Sequence, residues 1–464
     1  MASTKLSSAR RAALAVLDEA RRRNAYVREL LDSSSALKAL DARDAGLTRK
    51  LALGVTAAQG CLDELLDRFL AKPKKVAPRV RIALRIAAFE LLYLGTTPEV
   101  AVSQGVELAR AVMPSASGLA NAVLRKVVAE VEKYRDAEDA PSGERPITSA
   151  ARRAGLPVWL AAEVEASLGR DAAADLFAAE LEPAPVAAHM AQDSAPSDVG
   201  SSGLPGCVSS VDIRDERVRH KLAHCLLAVS DAHAQLIATA ATRSGSCLEI
   251  GAGRGTKTYI MQVQARRAGF KREHVALDFY EGKGRQNAGR LERAGIAEHV
   301  QTVAGDARDL DSALAKLDAA TGERRLFDTV FVDAPCSGTG TMRRHPEIPW
   351  RLTFEDANRN LPQLQLTMLM QAAARVAPNG ELLYATCSVL KQENDDVIDA
   401  FLATPEGASF ELVPLSEADI FQLPAFKHAS LAIKAHESAN CLFQTVPALN
   451  GYDGHFCARL IKVM

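Results

Sequence analysis

The sequence has no long uninterrupted apolar run, and this absence excludes one broad class of proteins. A helix needs about 20 consecutive apolar residues to cross a bilayer, and no stretch of the 464 residues approaches that length. The N-terminal stretch MASTKLSSARRAALAVLDEARRR is charged, without the apolar centre and small-residue cleavage site of an export signal. We therefore predict a cytoplasmic protein with no membrane partner.

The sequence also has no C-x-x-C pair, the spacing from which zinc sites and redox-active dithiols are commonly built. In a cytoplasmic chain, scattered cysteines argue against disulfides as well. We predict no metal site and expect most of the cysteines to be buried as small apolar residues. The eight are Cys61, Cys207, Cys225, Cys247, Cys336, Cys387, Cys441 and Cys457.

Length and charge both divide the chain. A chain of 464 residues exceeds what one hydrophobic core usually covers and predicts about three domains. Residues 1–135 contain 23 Lys and Arg against 14 Asp and Glu, whereas residues 136–464 contain 33 against 43. A basic front part suggests a polyanionic partner, because Lys and Arg displace counterions from phosphates. Its densest basic run, residues 72–85, is also typical of a solvated helix face.

The hydrophobic pattern changes along the chain. Up to about residue 135, apolar residues recur at helical spacing. Pro, Gly, Ser and acidic residues then mark connectors at residues 136–150 and 192–210. From about residue 236, short apolar strands alternate with amphipathic helices, which predicts a mostly parallel sheet covered on both faces. The predicted strands are residues 246–250, 274–278, 300–305, 328–333 and 381–386.

Glycines and acids follow the first three predicted strands. In LEIGAGRGTKT, glycines at 251, 253 and 255 allow the backbone to approach a cofactor closely. Asp278 ends the second strand, where a carboxylate suits ribose hydroxyls, and Asp306 follows the third, placed for an adenine amino group. Each feature alone is typical of a turn, a helix cap or a surface charge. Three acids after three successive strands favour an adenosine-containing ligand, which leaves nicotinamide, flavin and methyl-donor cofactors open.

Two cysteines follow the fourth and fifth strands. Cys336 lies in FVDAPCSGTG and Cys387 in LLYATCSVL. Adjacent parallel strands lie about 4.8 Å apart, so both sulfurs are expected to face one pocket. A single cysteine at such a position is ordinarily a packing residue, but two at matching strand ends beside Asp333 favour a reactive pair.

These motifs resemble those of the NOL/NOP/Sun family of RNA cytosine-C5 methyltransferases. DAPCSGTG with its following RRHPEIPWR, LLYATCSVLKQEND and the terminal DGHFCARLIK match that family in order and spacing, and SDAHAQLIA is similar to its segment ahead of the first strand. Helical segments such as RRAALAVL and IAAFELLYLGTTPEVAVSQGVELA are similar to the NusB-like RNA-binding domain of the bacterial members that act on 16S rRNA. The resemblance covers nearly the whole chain.

The resemblance implies a multidomain fold. It implies an all-α NusB-like domain at residues 1–140, a connector subdomain at 151–235, and an α/β Rossmann-like class I methyltransferase domain at 236–464. It also implies S-adenosylmethionine as cofactor. The residues expected to bind it are Gly251, Ala252, Gly253, Arg254, Gly255, Thr256, Lys257, Asp278, Asp306 and Asp333.

One turn departs from the family pattern. The family usually has Cys-Ala-Ala-Pro-Gly-Gly-Lys-Thr at the first glycine turn, whereas residues 251–258 are GAGRGTKT. That sequence is closer to the Glu-x-Gly-x-Gly-x-Gly pattern of methyltransferases generally, so we expect cofactor binding to be retained.

The chemistry that the resemblance implies is nucleophilic catalysis. Cytosine C5 is a poor nucleophile, so a thiolate must first add at C6; the family assigns this attack to the position of Cys387 and release of the C5 proton to that of Cys336. Asp333 would hydrogen-bond the cytosine amino edge or N3. Lys257 and the N-terminus of the helix after Cys387 would lower the pKa of the attacking thiol. The base must be unstacked, so the expected substrate is a single-stranded or looped cytosine of small-subunit rRNA.

Three other interpretations remain open. A DNA cytosine-C5 methyltransferase also places Pro-Cys after the fourth strand, but its nucleophile would be the cysteine at position 336. A non-catalytic RNA-binding ribosome-assembly factor would use the helical part alone. A nicotinamide oxidoreductase would have no use for paired thiols at these strand ends.

Overall fold

A computed structural model describes residues 6–136, 147–191, 203–209, 211–213 and 215–463. Its contacts divide the chain into two compact units. The first comprises Met1–Pro183 with Met342–Thr353, and the second comprises Ala184–Thr341 with Phe354–Met464. The predicted connectors lie largely outside the described residues. The three-part division at residues 140, 151 and 235 remains a prediction.

The first unit is helical, as the apolar spacing predicts. Its central helix is α6, where apolar residues on every side are buried, including Leu84 and Phe89. Pro78 and Pro98 open α6 and α7, positions where the missing N–H has no helical partner to lose. The helices are α1 Ser8–Arg23, α2 Val27–Ser33, α3 Ser35–Lys38, α4 Ala42–Ala57, α5 Gln59–Asp67, α6 Pro78–Tyr93, α7 Pro98–Val112, α8 Ser117–Asp136, α9 Ile147–Ala154, α10 Val158–Leu168 and α11 Arg170–Ala179.

A segment from the second half of the sequence completes this helical unit. Residues 342–353 follow DAPCSGTG along the chain, yet they belong to the helical unit and form α17, Ile348–Arg351. The buried carboxylate of Glu347 accepts the Val27 N–H at 2.7 Å at the start of α2. The Trp350 indole N–H donates to the Ala57 carbonyl, and its ring lies where a Cβ on Gly60 would be only 2.0 Å away. The absence of a side chain at position 60 makes room for the tryptophan.

The second unit contains the predicted parallel sheet. All five predicted strands form, as β4 Gly245–Ile250, β5 Arg272–Asp278, β6 Val300–Ala304, β7 Phe327–Asp333 and β8 Val376–Thr386. Three further strands, absent from the sequence prediction, extend it as β9 Phe410–Val413, β10 Leu442–Gln444 and β11 Phe456–Lys462. The order is β10-β11-β8-β7-β4-β5-β6, with β9 also pairing with β11, and β11 runs antiparallel to β8. A separate small sheet has the order β2-β1-β3, formed by Cys207–Val208, Ala188–Met190 and Leu227–Val229.

Helices cover both faces of the main sheet. Neighbouring residues of one strand point to opposite sides, so Phe331 packs with α13 and α14, and Val330 packs with α16, α18 and α19. The helices of this unit are α12 Glu216–Ala223, α13 Ala232–Ala240, α14 Thr256–Ala268, α15 Glu281–Ala294, α16 Leu310–Thr321, α18 Leu361–Ala373, α19 Asp395–Leu402 and α20 Lys427–Lys434.

The strand order fixes where a ligand site belongs. The chain starts at the central strand β4, moves outward through β5 and β6, and then crosses to β7 on the other side of β4. This reversal opens a crevice beyond the carboxyl ends of the central strands. The glycine turn, the acids and both cysteines of interest follow those strand ends.

Removal of the Glu347 carboxylate tests the placement of the 342–353 segment. Glu347→Ala leaves the Val27 N–H without its buried acceptor and is expected to lower the free energy of unfolding of the helical unit by about 1–3 kcal/mol. Glu347→Gln retains an amide oxygen and is expected to lose less. Trp159 and Trp350, the two tryptophans of the chain, both belong to this unit, so urea unfolding followed by tryptophan fluorescence reports on it. Equal stability of Glu347→Ala and wild type would contradict the contact.

Candidate active site

The two cysteines meet beyond adjacent strand ends. β7 and β8 pair in parallel with Asp333 opposite Ala385, and each strand leads into a loop that carries one cysteine. The Sγ atoms of Cys336 and Cys387 lie 3.2 Å apart, and the Cys387 backbone N–H donates to Cys336 Sγ at 3.3 Å. Both cysteines are half-buried free thiols. The arrangement gives a pair in which one sulfur can donate a hydrogen bond to the other.

A buried carboxylate holds the two cysteine loops together. Glu393 accepts the Ser337 N–H at 2.8 Å and the Ser388 hydroxyl at 2.8 Å, and each of these serines directly follows one of the cysteines. A third donor is Gln365 Nε2 of α18, at 2.9 Å. Burial raises the pKa of Glu393. Sequence reasoning missed this residue, although an acid shortly after Cys387, in CSVLKQEN, was a usable signal.

Asp333 and Lys257 form an ion pair at the same edge. Lys257 Nζ donates to Asp333 Oδ2 at 2.7 Å, with side-chain exposures of 19% and 28%. Burial disfavours the ammonium charge, but the Asp333 carboxylate more than offsets it, so the pKa of Lys257 is raised. Lys257 is therefore a fixed cation whose charge is matched by Asp333.

The two thiols differ in acidity. The hydrogen bond from Cys336 lowers the pKa of Cys387 against the effect of burial, and the positive charges of His455 and Lys257 act in the same direction. That hydrogen bond, together with burial, raises the pKa of Cys336. Cys387 is therefore the sulfur that ionises first. The helix that was expected to lower the pKa of Cys387 begins only at Asp395, and residues 388–394 separate it from the cysteine. The pKa of Cys387 is lowered by side chains instead.

The first glycine turn has the geometry of a cofactor cradle. Gly251, Gly253 and Gly255 have φ of 81°, 58° and 78°, a region that favours glycine. A Cβ on Gly251 would lie 2.3 Å from the Asp333 carbonyl oxygen, whereas the nearest atom to one on Gly253 would be the Gly251 carbonyl oxygen, at 3.9 Å. Asp278 Oδ2 accepts the Gly253 N–H at 2.9 Å. A ligand lying along this turn would meet bare backbone and one buried carboxylate.

The other residues predicted to bind the cofactor differ in exposure and in hydrogen bonding. The Thr256 hydroxyl accepts Arg290 Nη1 at 2.8 Å, Ala252 is buried and Arg254 is exposed. Asp306 is held by Arg308, whose guanidinium lowers the pKa of that carboxyl. An adenine amino group at Asp306 would have to share that carboxylate with Arg308.

Two exposed aromatic residues were missed by sequence reasoning. Phe279 and Tyr280 directly follow Asp278 and are 61% and 60% exposed, although aromatic side chains of this size are usually covered. Their rings contact each other edge to face, with centroids 5.1 Å apart. Adjacent aromatics after a strand-terminal acid were the available signal for an exposed aromatic surface next to Asp278.

These features define a class of protein. A doubly wound sheet, a glycine turn after its first strand, an acid after its second and a thiol pair after its fourth and fifth form a Rossmann-like methyltransferase domain, here combined with an all-α domain. In the described ranges, no group of three or more His, Cys, Asp and Glu side chains is arranged to hold a metal ion. No helix in the part of the chain that the structure describes has the length and apolarity to cross a membrane.

Comparison with known proteins identifies the family. Residues 237–461 match the model of the family described as 16S rRNA methyltransferase RsmB/F, and residues 7–129 match the NusB family. The chain is 30% identical to ribosomal RNA small subunit methyltransferase B of Pseudomonas syringae pv. tomato, over 92% of this chain and 91% of that protein. The corresponding Thermus thermophilus protein is 30% identical over 81% and 82%. This chain belongs to the RsmB/F family of rRNA methyltransferases, which confirms the predicted family.

A solved structure supports the predicted two-part fold. The crystal structure of PH0851 superposes with a TM-score of 0.71, covering 99% of each chain at 21% identity. A methyltransferase homologue from Pyrococcus horikoshii gives 0.51, covering 70% of this chain and all of that one at 19% identity. At these identities the likeness establishes the fold, an all-α part followed by a Rossmann-like α/β part.

The Glu393 carboxylate provides a test of how the two cysteine loops are held. Glu393→Ala leaves the Ser337 N–H, the Ser388 hydroxyl and the Gln365 amide without their acceptor, and a loss of about 3 kcal/mol in unfolding free energy is expected. Glu393→Gln is the matched control, because its amide oxygen serves Ser337 while the Ser388 hydroxyl turns to accept. The measurement is urea unfolding followed by circular dichroism.

The same pair of variants has a pH signature. The folded-state pKa of Glu393 is raised. The stability that this raised pKa gives the wild-type protein is therefore fully present below the ordinary glutamate pKa, and it is lost as pH rises through the folded-state pKa. Glu393→Gln does not titrate. The free energy of unfolding of this variant, relative to wild type, should therefore increase as pH rises from the ordinary to the folded-state pKa. A difference that stays constant with pH would contradict the raised pKa of Glu393.

Proposed function

We propose that this protein transfers a methyl group from S-adenosylmethionine to C5 of a cytosine in rRNA, with Cys387 as the nucleophile and Cys336 as the group that frees the product. The observation that carries the proposal is the 3.2 Å separation of the two sulfurs beyond adjacent parallel strands, with Cys387 the more acidic. Attack at C6 needs one thiolate, and product release needs a second base close to the first.

The chain offers a fitting site for the cofactor. Gly253 leaves open space at the turn, and Asp278, whose side chain lies against that turn, presents carboxylate oxygens suited to ribose hydroxyls. Phe279 and Tyr280 supply an exposed aromatic surface next to it. S-adenosylmethionine, when bound there, supplies an electrophilic methyl group.

The attack begins at Cys387. Its thiolate adds to C6 of the ring, forming an S–C6 bond, and the electron pair of the C5–C6 double bond makes C5 nucleophilic. Asp333 is expected to hydrogen-bond the amino edge or N3 of the cytosine, while Lys257, at 2.7 Å, holds that carboxylate in place. Once the S–C6 bond has formed, Cys387 no longer carries a negative charge.

Loss of that charge prepares the release step. The hydrogen bond with Cys387 is the largest cause of the raised pKa of Cys336, and it disappears once the Cys387 sulfur is bonded to carbon. The pKa of Cys336 then falls, so this thiol can release its own proton to solvent and act as a base in the thiolate form. It takes the C5 proton, the electron pair restores the C5–C6 double bond, and Cys387 leaves as a thiolate.

Two observations support rRNA as the substrate class, namely the names of the relatives and the positive charge of the N-terminal part of the chain. The relatives are named as small-subunit rRNA methyltransferases, and residues 1–135, which include the NusB match, carry an excess of Lys and Arg. A base inside a helix cannot reach a half-buried thiol, so the target cytosine must be single-stranded, looped or flipped out.

The other interpretations account for fewer features of the site. A DNA cytosine-C5 methyltransferase would need Cys336 as nucleophile, yet its pKa is the raised one of the pair. A non-catalytic assembly factor has no need for two sulfurs held by a buried carboxylate or for a matched Lys257–Asp333 pair.

The two cysteines are expected to give opposite phenotypes. Cys387→Ala should lose methylation to background and form no covalent complex, because no sulfur attacks C6. Cys336→Ala should accumulate a protein–RNA adduct and lose turnover about 10²–10⁴-fold, the range for removal of a proton-transfer group. The measurement is denaturing gel electrophoresis of full-length protein with small-subunit rRNA and S-adenosylmethionine.

A third variant controls for general thiol effects. Cys441 is a half-buried thiol outside the strand-end pair, and Cys441→Ser should retain wild-type turnover and form no lasting adduct. An adduct in Cys387→Ala that is absent from Cys336→Ala would exchange the two roles and favour the DNA-type assignment. Equal and mild effects in both would leave the pair as packing residues.

Cofactor binding depends mainly on Asp278. Asp278→Ala removes the carboxylate next to Gly253 and should weaken S-adenosylmethionine binding about tenfold or more, which corresponds to about 1.4 kcal/mol. Asp306→Ala is the matched comparison and should weaken it less, because Arg308 already occupies that carboxylate. Titration calorimetry measures both, and unchanged affinity in Asp278→Ala would remove its ribose role.

A further inference from the structure

The register between β8 and β11 brings a histidine to Cys387. The two strands are antiparallel, with Thr386 opposite Phe456 and Ala385 opposite Cys457. Cys387 directly follows Thr386 and His455 directly precedes Phe456, so the end of this pairing brings the two residues to the same point at the edge of the sheet. The Gly340 backbone lies at this point, since its N–H donates to the Cys387 carbonyl and its carbonyl accepts the Gly454 N–H.

A buried aspartate holds this histidine. His455 Nε2 lies 3.5 Å from Asp231 Oδ1, with both side chains only 7% exposed. Asp231 also accepts the His233 N–H at 2.9 Å and the Asp453 N–H at 3.0 Å. One carboxylate therefore links the start of α13 to the loop that carries His455, although more than 220 residues of chain separate them.

The charge balance favours a cation at position 455. An ionised carboxylate buried without a cationic partner is costly, and Lys257 is already paired with Asp333. Burial lowers the pKa of His233 and leaves it neutral. Burial opposes a charge on His455 too, but the negative charge of Asp231, 3.5 Å away, more than offsets it and raises the pKa of His455.

We propose that His455, held by Asp231, is a positioning residue that keeps a positive charge opposite Cys387 and thereby maintains this sulfur as a thiolate. The proposal rests on the proposed role of Cys387 as nucleophile. Cys387 loses its proton to solvent at the half-buried site while His455 stays protonated. When the sulfur bonds to C6 the imidazolium loses one of its two anionic neighbours and keeps Asp231, and it regains the second when the thiolate leaves.

Several other groups titrate or carry charge around His455, and the test must separate their effects. The start of α13 carries Asp231 and His233, and α14 carries Lys257. Asp333 ends β7, and Cys336 and Cys387 lie in the loops after β7 and β8. Asp453 lies in the loop before β11. All of them stay in place when position 455 alone is changed.

The experiment measures the reactivity of Cys387 itself. The full-length protein, without RNA or cofactor, is alkylated with iodoacetamide across a series of pH values, and the Cys387 peptide is quantified by mass spectrometry. His455→Gln should move the inflection of the rate profile up by about one pH unit, so the rate near pH 7 falls about tenfold while the high-pH plateau is kept. Asp231→Asn should shift it in the same direction, because it removes the group that keeps His455 charged.

A neighbouring histidine is the control. The His436 ring lies 5.7 Å from that of His233, but His436 is not among the groups that set the Cys387 pKa, so His436→Gln should leave the profile unchanged. An unmoved inflection in both His455→Gln and Asp231→Asn, with native circular dichroism, would overturn the proposal. So would an equal shift in His436→Gln. None of these outcomes depends on methylation, so the covalent-adduct experiment tests the proposed function separately.

Discussion

The parallel pairing of β7 and β8 is the constraint on which the site depends. Both strands end at the same level, with Asp333 opposite Ala385, so the loops that leave them bring Cys336 and Cys387 within 3.2 Å. A slip of one residue would turn the side chains of one strand to the other face of the sheet. Glu393 opposes such a slip from outside the sheet, because it bonds the residue after each cysteine.

The polar groups around the sulfurs are matched one to one. Lys257 is paired with Asp333, His455 faces Asp231, and Cys336 is hydrogen-bonded to Cys387. Each buried charge has a partner at short range, which keeps the desolvation cost of the site moderate. The unequal acidity of the two thiols follows from this arrangement, because the cations act on Cys387 while its hydrogen bond raises the pKa of Cys336.

Features that depend on short sequence stretches were predictable. Apolar runs followed by glycine, an acid or a cysteine gave β4 to β8, and the strand-end rule brought the two cysteines together. The antiparallel strand β11 was missed, because the segment that contains it holds a charged residue, Arg459, whose buried partner Glu381 lies 78 residues earlier. The Asp231–His455 contact and the inclusion of residues 342–353 in the helical unit were missed for the same reason, since each joins parts of the chain that are far apart in sequence.

The atypical first turn illustrates which properties of a motif the fold requires. Its sequence GAGRGTKT differs from the family pattern, yet two properties are kept. Gly251 lets the Asp333 carbonyl approach so closely that any side chain would collide with it, and this proximity brings Lys257 within hydrogen-bonding distance of the Asp333 carboxylate. Gly253 leaves one side of the turn open and gives its N–H to Asp278. Backbone conformation and the position of one lysine, rather than the identity of each residue, are therefore what link the glycine turn to the thiol pair.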